Sequence, residues 1–281
     1  MRASTTISLA IGALFSESAL AALPHCPLKN AGLSCQSNTT ISNTCCTEVQ
    51  GQVLGVQFWD TNPATGPEDH WTIHGLWPDN CDGTYEQFCD PSREYANISC
   101  ILEAASTRGK NILSFMNTYW KDQSGNDESF WEHEWNKHGT CYSTLQPKCF
   151  DHYKPQEEVV DYFEQATRQF KKLPTYQYLK AAGIVPTTAK NYTYDEFVAA
   201  LKKPSGVTAL PRCSNGEVYE VWYTYNVKGS VANGEFERVE PVGEGIGCPK
   251  SFKYLPKKMD TVPKPVPTHC PAVNATAPTA A

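Results

Sequence analysis

The chain has 281 residues, of which 40% are hydrophobic and 19% are charged, a composition typical of a folded protein with a buried core. The formal net charge is −6 with the seven histidines neutral, which argues against tight nucleic-acid binding at neutral pH, because phosphate contacts need cationic groups. Protonation of all seven histidines would bring the charge to +1, so a function directed at nucleic acid is expected to favour acid conditions.

The first segment, residues 1–21, has the features of a secretory signal peptide. Arg2 gives it a positive start, residues 7–15 form a short apolar run, and residues 19–21 (ALA) form a small-x-small cleavage site. The alternative is a buried N-terminal helix, which would not require this order of features. No later stretch approaches the roughly 18 apolar residues of a membrane span. We therefore expect a secreted protein that does not associate with a membrane. Retention in a vacuole, which also follows entry into the secretory pathway, stays open.

Twelve cysteines follow the proposed cleavage site. An even number of cysteines in a secreted chain predicts disulfide bonds. A zinc ribbon is the alternative, but the chain contains no Cys-x-x-Cys pair, and Cys45 and Cys46 are adjacent. Four Asn-x-Ser/Thr sequons predict N-glycosylation in a secreted protein, and they lie at Asn38, Asn97, Asn191 and Asn274.

The chain contains several predicted elements beyond the cysteine-rich N-terminal segment. In chain order they are strands at 52–60 and 70–76, then helices at 101–120, 128–138 and 155–172. A short helix, opened by a capping box at 193–196, runs through 201, and a strand at 217–227 is followed by its expected partner at 235–242. Gly139 is expected to terminate the second helix. No regular βαβ period is present, so the predicted fold class is α+β with a mainly antiparallel sheet.

These elements predict one domain over residues 22–255. Residues 256–281 are rich in Pro, Thr and Ala, which is the composition of a tail or linker. Cys270 is the only evident anchor of this predicted tail.

Two segments combine histidine with acidic, basic and aromatic residues, namely residues 70–81 (HWTIHGLWPDNC) and 130–141 (FWEHEWNKHGTC). Because side chains alternate along a strand, His74 is expected to point away from the core and into a cleft. On a helix, Glu134, Lys137 and His138 share one face, which would combine a carboxylate, an ammonium and an imidazole. The ordinary alternatives are a structural histidine and a solvated helix face.

Two other kinds of active site lack support in these segments. A zinc protease of the His-Glu-x-x-His type needs a second histidine four residues after His133, but that position is Lys137. No Gly-x-Ser-x-Gly sequence is present, so a serine esterase is not indicated.

Both histidine segments resemble the two active-site signatures of the ribonuclease T2 family, in its fungal branch. The Cys45-Cys46 doublet, the CFDHY sequence that begins at Cys149, and the pair Cys213 and Cys248 are also similar to that family. The resemblance covers about residues 26–255 and implies a four-stranded antiparallel sheet flanked by helices, in agreement with the elements above. It further implies an acid endoribonuclease that cleaves single-stranded RNA without a metal or other cofactor, and 22–255 as its catalytic domain.

Cleavage of RNA requires that the 2′-hydroxyl lose a proton and that the departing 5′-oxygen gain one, and two imidazoles suit these tasks. The resemblance implies that His138 is the general base, His74 the general acid and His133 a phosphate ligand. It also implies that Glu134 and Lys137 stabilise the transition state. The expected product is a 2′,3′-cyclic phosphate and then a 3′-phosphate. DNA lacks the 2′-hydroxyl and is expected to be inert.

The resemblance also implies two base-binding pockets, in which aromatic side chains stack on unpaired bases. The residues that match the first pocket are Trp77, Asp79 and Tyr85, which implies low base specificity with a preference for adenine. Core packing is the alternative role for Trp77, because Trp is mostly buried. Gln57 and Phe130 match the second pocket, whose preference stays open because the loop at 121–123 departs from the family pattern.

Five disulfide bonds are implied by the resemblance: 26–46, 35–81, 45–149, 89–141 and 213–248. Cys100 and Cys270 are left over, and we expect them to form a sixth.

The alternative function is a secreted, non-catalytic binding or signalling protein on the same fold, acting on another cell, a polysaccharide or an actin surface. Loss of either active-site histidine would have favoured it, but both are present. A toxin or inhibitor role that depends on RNA cleavage stays open. We expect a monomer.

Overall fold

The computed structural model describes residues 26, 28, 31–36, 41–243, 245, 247–268 and 270. The predicted signal peptide at 1–21 and the sequons at Asn38 and Asn274 lie outside these residues. The sequons at Asn97 and Asn191 are exposed on the surface. No helix among the described residues is long and apolar enough to cross a membrane.

The described part of the chain contains strands, α-helices and short 3-10 helices. The strands are β1 (Gln52–Phe58), β2 (Thr72–Asp79), β3 (Tyr192–Thr193), β4 (Leu210–Ser214), β5 (Glu217–Lys228), β6 (Glu235–Arg238) and β7 (Ser251–Phe252). The α-helices are α1 (Ile98–Ala104), α2 (Ser106–Tyr119), α3 (Asp127–Lys137), α4 (Glu157–Lys171), α5 (Thr175–Ala181) and α6 (Tyr194–Ser205). The 3-10 helices are Pro91–Arg93, Gly139–Cys141, Ser143–Leu145, Pro147–Cys149 and Met259–Thr261.

The central sheet is antiparallel and has the strand order β2-β1-β5-β4, with the short strand β6 paired to β5. The predicted α+β class with a mainly antiparallel sheet is therefore confirmed, and β6 adds a fifth strand to the four-stranded path. A separate pair, β3 and β7, was not predicted. Strands of two residues are too short to show the alternation by which strands are recognised in a sequence.

The sheet has two different faces. Helix α4 contacts β1 and β2 on one face, where its buried Val159, Tyr162, Phe163 and Ala166 join the main hydrophobic core. The opposite face has Phe58 of β1 in register with Glu220 of β5, and His74 stacks on Phe58. The helix-covered face provides the rigid core, and the other face carries the polar and aromatic side chains considered below.

The predicted helix at 101–120 is divided in two at Ala105, where the backbone leaves the helical region (φ −80°, ψ 40°) and Ser106 follows with φ +62°. The two helices then pack so closely that a Cβ on Gly109 would lie 2.0 Å from the carbonyl oxygen of Leu102. The break depends on this tertiary contact, which periodicity along the chain does not reveal.

Gly139 does not have the predicted role of a left-handed residue that ends a helix. It has no positive φ and begins the 3-10 helix Gly139–Cys141. The reason for glycine here is space, because a Cβ would lie 2.3 Å from the ring of Trp135.

Six disulfide bonds are present, and they join the pairs that were expected: Cys26–Cys46, Cys35–Cys81, Cys45–Cys149, Cys89–Cys141, Cys213–Cys248 and Cys100–Cys270. Cys89–Cys141 joins the loop after β2 to the 3-10 helix that follows α3.

The predicted tail is attached to the domain well before Cys270. Buried Lys257 donates hydrogen bonds to the carbonyl oxygens of Thr65, Pro67 and His70. Farther along, the amide of Val266 donates to the carbonyl oxygen of Gly125. The prediction that Cys270 is the only anchor was therefore wrong, because composition does not show that a Pro-rich segment can donate hydrogen bonds to neighbouring loops. We call residues 256–270 the C-terminal strap.

Replacement of both Cys100 and Cys270 by alanine is expected to leave the domain folded and to expose the end of the strap. The bond closes a loop with a sequence separation of 170, for which loop-closure entropy gives at most about 5 kcal/mol, and the ordering of the strap offsets much of that. Limited proteolysis with mass spectrometry, together with calorimetry, measures both effects. Equal protease resistance of the variant and the wild type would contradict this role, and a Cys213/Cys248 double variant is the control.

Candidate active site

His74 lies at a β-bulge in β2. Val56 of β1 pairs with Gly75 and Gln57 pairs with Ile73, so His74 has no partner in the register. Such a bulge commonly redirects a side chain next to an active site. The imidazole stacks on Phe58 with 3.9 Å between ring centroids, and its Nδ1 is 2.6 Å from Oε1 of Glu220. The ring is therefore held in one orientation, and its side chain is 19% exposed.

Glu134 of α3 is fully buried between the helix and strand β2. Its Oε2 accepts a hydrogen bond of 2.8 Å from Nε1 of Trp77, and its Oε1 lies 3.5 Å from Nε2 of His74. A Cβ at position 75 would lie 2.0 Å from Oε2 of Glu134, so Gly75 is what allows the carboxyl group to approach the strand. Burial raises the pKa of Glu134 to about 7, although the charges of His74 and Lys137 and the Trp77 hydrogen bond act in the opposite direction.

His138 follows α3, and its amide donates to the carbonyl oxygen of Glu134 at 3.2 Å. Its ring stacks on Trp77 with 4.8 Å between centroids, and the residue is only 5% exposed. Burial, followed by the charges of Lys137, His74 and His133, lowers the pKa of His138 to about 2. This imidazole is therefore neutral over the working range of proteins, as a general base must be.

Two buried polar atoms face this region without a hydrogen bond. Within the described residues, neither Oε1 of Glu134 nor Nε2 of His138 has a hydrogen-bond partner. Buried polar atoms are normally paired, and exceptions are often catalytic groups. These two atoms are therefore the first candidates for contact with a substrate.

His133 and Lys137 of α3 add two basic groups near His138. The rings of His133 and His138 are 6.5 Å apart. Desolvation, followed by the charges of Lys137 and His74, lowers the pKa of His133. Positive charges on neighbouring groups repel one another, and an anion placed among them would relieve this repulsion. The region is therefore suited to binding an anion.

The turn after β2 brings together two of the three residues of the expected first base pocket, Asp79 and Tyr85. Asp79 is buried at the end of β2 and its backbone forms an antiparallel bridge to Tyr85, whose side chain is 63% exposed. One face of Trp77 is covered by His138, so Trp77 contacts the catalytic candidates directly and only its other face could stack on a base. Trp77 is half-buried and not part of the main core cluster.

Of the two residues expected in a second base pocket, the structure places only Phe130 beside His74, with 5.6 Å between ring centroids. Gln57 is 3% exposed and faces α5, where its amide donates to the carbonyl oxygen of Leu173 at 3.1 Å and accepts from the hydroxyl of Thr175 at 2.7 Å. Its neighbour Phe58 is the residue that contacts both His74 and Phe130.

The loop at 121–123 is held in place by its own hydrogen bonds. The ammonium of Lys121 pairs with Asp127 at the start of α3, and the side-chain amide of Gln123 donates to Asp60. This loop leads into the helix that contains Phe130.

Sequence reasoning missed Glu220, Trp222 and Phe58. Glu220 is 4% exposed and lies on β5, with Oε1 on His74 and Oε2 accepting from Nε1 of Trp222 at 2.9 Å. The available signal was an acidic residue in the middle of a strand whose other residues are mostly apolar or aromatic. A buried carboxylate in such a strand requires a partner.

The arrangement combines a neutral buried imidazole, a second imidazole held by a carboxylate, a protonatable carboxyl group and an ammonium within one small region. These groups can remove a proton, donate a proton and stabilise negative charge. Among the described residues, no group of three or more His, Cys, Asp or Glu side chains is placed to hold a metal ion.

Comparison with known proteins gives a consistent result. The sequence profile of the Ribonuclease T2 family matches residues 35–235. Ribonuclease Trv of Hypocrea rufa is 52% identical over 233 residues, which are 83% of this chain and 98% of that protein. Ribonuclease T2 of Aspergillus oryzae is 46% identical over 263 residues, which are 92% of each protein.

A solved structure agrees with these sequence matches. The crystal structure of Actibind, described as a T2 ribonuclease, superposes with a TM-score of 0.78 at 45% identity and covers 83% of this chain and 98% of its own. The chain therefore belongs to the ribonuclease T2 family and is an endoribonuclease.

Proposed function

We propose that this protein is a secreted acid endoribonuclease that cleaves single-stranded RNA by transphosphorylation, gives a 2′,3′-cyclic phosphate and then a 3′-phosphate, and prefers adenine weakly. The observation that carries the proposal is the pair of imidazoles that both contact Trp77. The ring of Trp77 is 4.6 Å from that of His74 and 4.8 Å from that of His138. One imidazole is buried and neutral, and the other is bound to a carboxylate.

In the first step, Nε2 of His138 takes the proton of the 2′-hydroxyl as the 2′-oxygen attacks phosphorus. Nε2 of His74 gives a proton to the 5′-oxygen as the P–O bond breaks, so one proton is removed and one is supplied. The phosphate of bound RNA offsets the charges of Lys137 and His133, which are two of the causes that lower the pKa of His138, and so makes this base stronger where it is needed.

Glu134, Lys137 and His133 act on the phosphate itself. Below about pH 7 the carboxyl group of Glu134 is largely protonated, so it can donate a hydrogen bond to a phosphoryl oxygen instead of repelling it. Lys137 supplies positive charge where charge develops in the transition state, and His133 binds the phosphate. In the second step the two histidines exchange roles, and water attacks the cyclic phosphate.

Secretion is supported by the N-terminal sequence features and by six disulfide bonds, which form in oxidising compartments. In this proposal the protein acts as a monomer, needs no cofactor and does not cleave DNA.

The test of this function is product analysis with the purified mature chain. RNA and single-stranded DNA of the same sequence are incubated at acid and neutral pH, with and without EDTA, and the ends are identified by mass spectrometry. We expect faster cleavage of RNA at acid pH, cyclic phosphate before 3′-phosphate, and no effect of EDTA. Cleavage of DNA at a similar rate, or loss of activity with EDTA, would contradict the proposal.

Asp79→Asn is expected to change base preference more than overall rate. A carboxylate only accepts hydrogen bonds and so selects an exocyclic amine such as that of adenine, whereas an amide both accepts and donates. The measurement is kcat/KM for a set of dinucleoside phosphates that differ in the base on the 5′ side. The exposed Asp82→Asn in the following turn is the control, and an unchanged ranking of bases in the Asp79 variant would remove Asp79 from the pocket.

A further inference from the structure

We propose that Glu220 is a positioning residue for His74, which fixes the orientation of the imidazole and keeps a proton on Nδ1, so that Nε2 is the nitrogen that exchanges a proton with RNA. The inference rests on the acid role proposed for His74. It deepens that role by adding a residue on another strand that controls which ring nitrogen takes part.

The contact is short and both of its partners are held. Oε1 of Glu220 is 2.6 Å from Nδ1 of His74, and the Glu220 side chain is 5% exposed. A carboxylate can only accept hydrogen bonds, so Nδ1 must be the donor. The hydrogen bond made by one ring nitrogen determines the role of the other, and Nε2 is therefore the position left for chemistry.

The rest of the environment keeps the ring in this pose. Phe58 covers one face of the ring at a nearly parallel angle of 16°. Trp77 meets it edge-on, and Nε2 is directed toward Oε1 of Glu134 at 3.5 Å. Glu220 itself is paired in register with Phe58 across β5 and β1, so the carboxylate and the stacked ring share one rigid part of the sheet. Catalytic groups on rigid strands are held more precisely than those on loops.

Both oxygens of Glu220 are required as acceptors. Oε1 accepts from Nδ1 of His74 and Oε2 accepts from Nε1 of Trp222 at 2.9 Å. A glutamine has one oxygen and one NH₂ group in the places of the two carboxylate oxygens, so it cannot offer an acceptor at both positions. If its oxygen stays on Trp222, its NH₂ group faces Nδ1, and the neutral ring must then carry its proton on Nε2.

This conflict gives a specific test. We compare Glu220→Gln, Trp222→Phe and the double variant in the full mature protein. The Glu220→Gln variant is expected to lose on the order of 10²-fold or more in kcat, since loss of the carboxylate that orients a catalytic imidazole costs up to about 10⁴-fold when the wrong tautomer results. KM should change little, because Glu220 is not placed to touch RNA.

The double variant is expected to recover part of this loss, about tenfold relative to Glu220→Gln, on the scale of an orienting hydrogen bond. Without the indole N–H, the amide oxygen is free to turn to Nδ1 and restore the original tautomer. Glu217→Gln is the matched control, since it lies on the same strand and pairs with Lys253 at 3.6 Å, and its kcat should equal that of the wild type.

The second measurement does not depend on activity. ¹⁵N NMR of histidine-labelled protein, recorded at alkaline pH where imidazoles are neutral, reports which nitrogen of His74 carries the proton. We expect Nδ1–H in the wild type and Nε2–H in Glu220→Gln, with Nδ1–H again in the double variant. An Nδ1–H tautomer in folded Glu220→Gln, or a wild-type kcat in that variant, would overturn the proposal. If the wild type itself failed to cleave RNA, the proposed function would fall, while the tautomers would still decide the role of Glu220.

Discussion

Replacement of His138 by alanine is expected to lower kcat on RNA by about 10²–10⁴-fold, the usual contribution of a group that transfers a proton in the transition state. The structure explains why no neighbouring group should replace it. Nε2 of His138 is buried, Glu134 holds its own proton below about pH 7, and the ammonium of Lys137 has no lone pair. His74→Ala is expected to show a loss of the same order, because the leaving oxygen then departs without a proton.

The measurement is the initial rate on an oligoribonucleotide with one cleavable ribose, together with a spectroscopic test of folding. His152→Asn is the control, because His152 is exposed and has a φ of +56°, a conformation that asparagine tolerates. A folded His138→Ala or His74→Ala variant with a kcat close to that of the control would show that the assigned role is wrong.

The role of Glu134 predicts a smaller loss for Glu134→Gln at acid pH. Glutamine still offers an oxygen to Nε1 of Trp77, and its NH₂ group can donate to a phosphoryl oxygen as the protonated carboxyl group does. In the proposed mechanism the two histidines carry the proton balance of the reaction, so the substitution leaves it unchanged.

Burial acts in opposite directions on two of the active-site groups. It raises the pKa of Glu134 to about 7 and lowers the pKa of His138 to about 2, because a buried site disfavours whichever form is charged. Between these values both groups are uncharged. Maximal activity at acid pH therefore agrees with a His138 that is free to take a proton and a Glu134 that keeps its own. It also agrees with the more positive net charge of the chain at acid pH.

The fold class, the disulfide pairs and the placement of His138 one helical turn after Glu134 were all reached from the sequence. Helical periodicity determines which residues of α3 share a face, since positions three and four apart lie together. The disulfide pairs followed from the resemblance, with Cys100 and Cys270 as the remainder. These inferences depend on short-range spacing or on a known family pattern, and both can be read along the chain.

The surroundings of His74 could not be reached in this way. Gln57 and Phe58 are adjacent and point to opposite faces of β1, so the choice between them depends on the register of the strand pair and on the bulge at His74. Glu220 is separated from His74 by 146 positions, and no spacing rule connects them. The bulge leaves His74 without a partner on β1, so alternation along β2 does not show which residues of β1 and β5 lie beside its ring.

The stability of the protein should also depend on the proton of Glu134. The folded pKa is about 7 and the unfolded pKa is about 4.3, so between these values the folded state retains a proton that the unfolded state has lost. The free energy of unfolding therefore falls as pH rises through this window, and the loss is complete above about pH 7. Each pKa unit corresponds to about 1.4 kcal/mol, which gives a loss on the order of 4 kcal/mol.

Glu134→Gln isolates this effect, because glutamine resembles the protonated carboxyl group and does not titrate. The free energies of unfolding in urea should be similar for the wild type and the variant at pH 4, and the variant should be more stable by about 4 kcal/mol at pH 8. His138 contributes with the opposite sign, since its lowered pKa makes the fold more stable as pH rises toward the unfolded value, but this contribution is common to both proteins and cancels in their difference. A difference that stays constant from pH 4 to pH 8 would mean that Glu134 is ionised in the fold throughout, and that it meets RNA as a carboxylate and not as a hydrogen-bond donor.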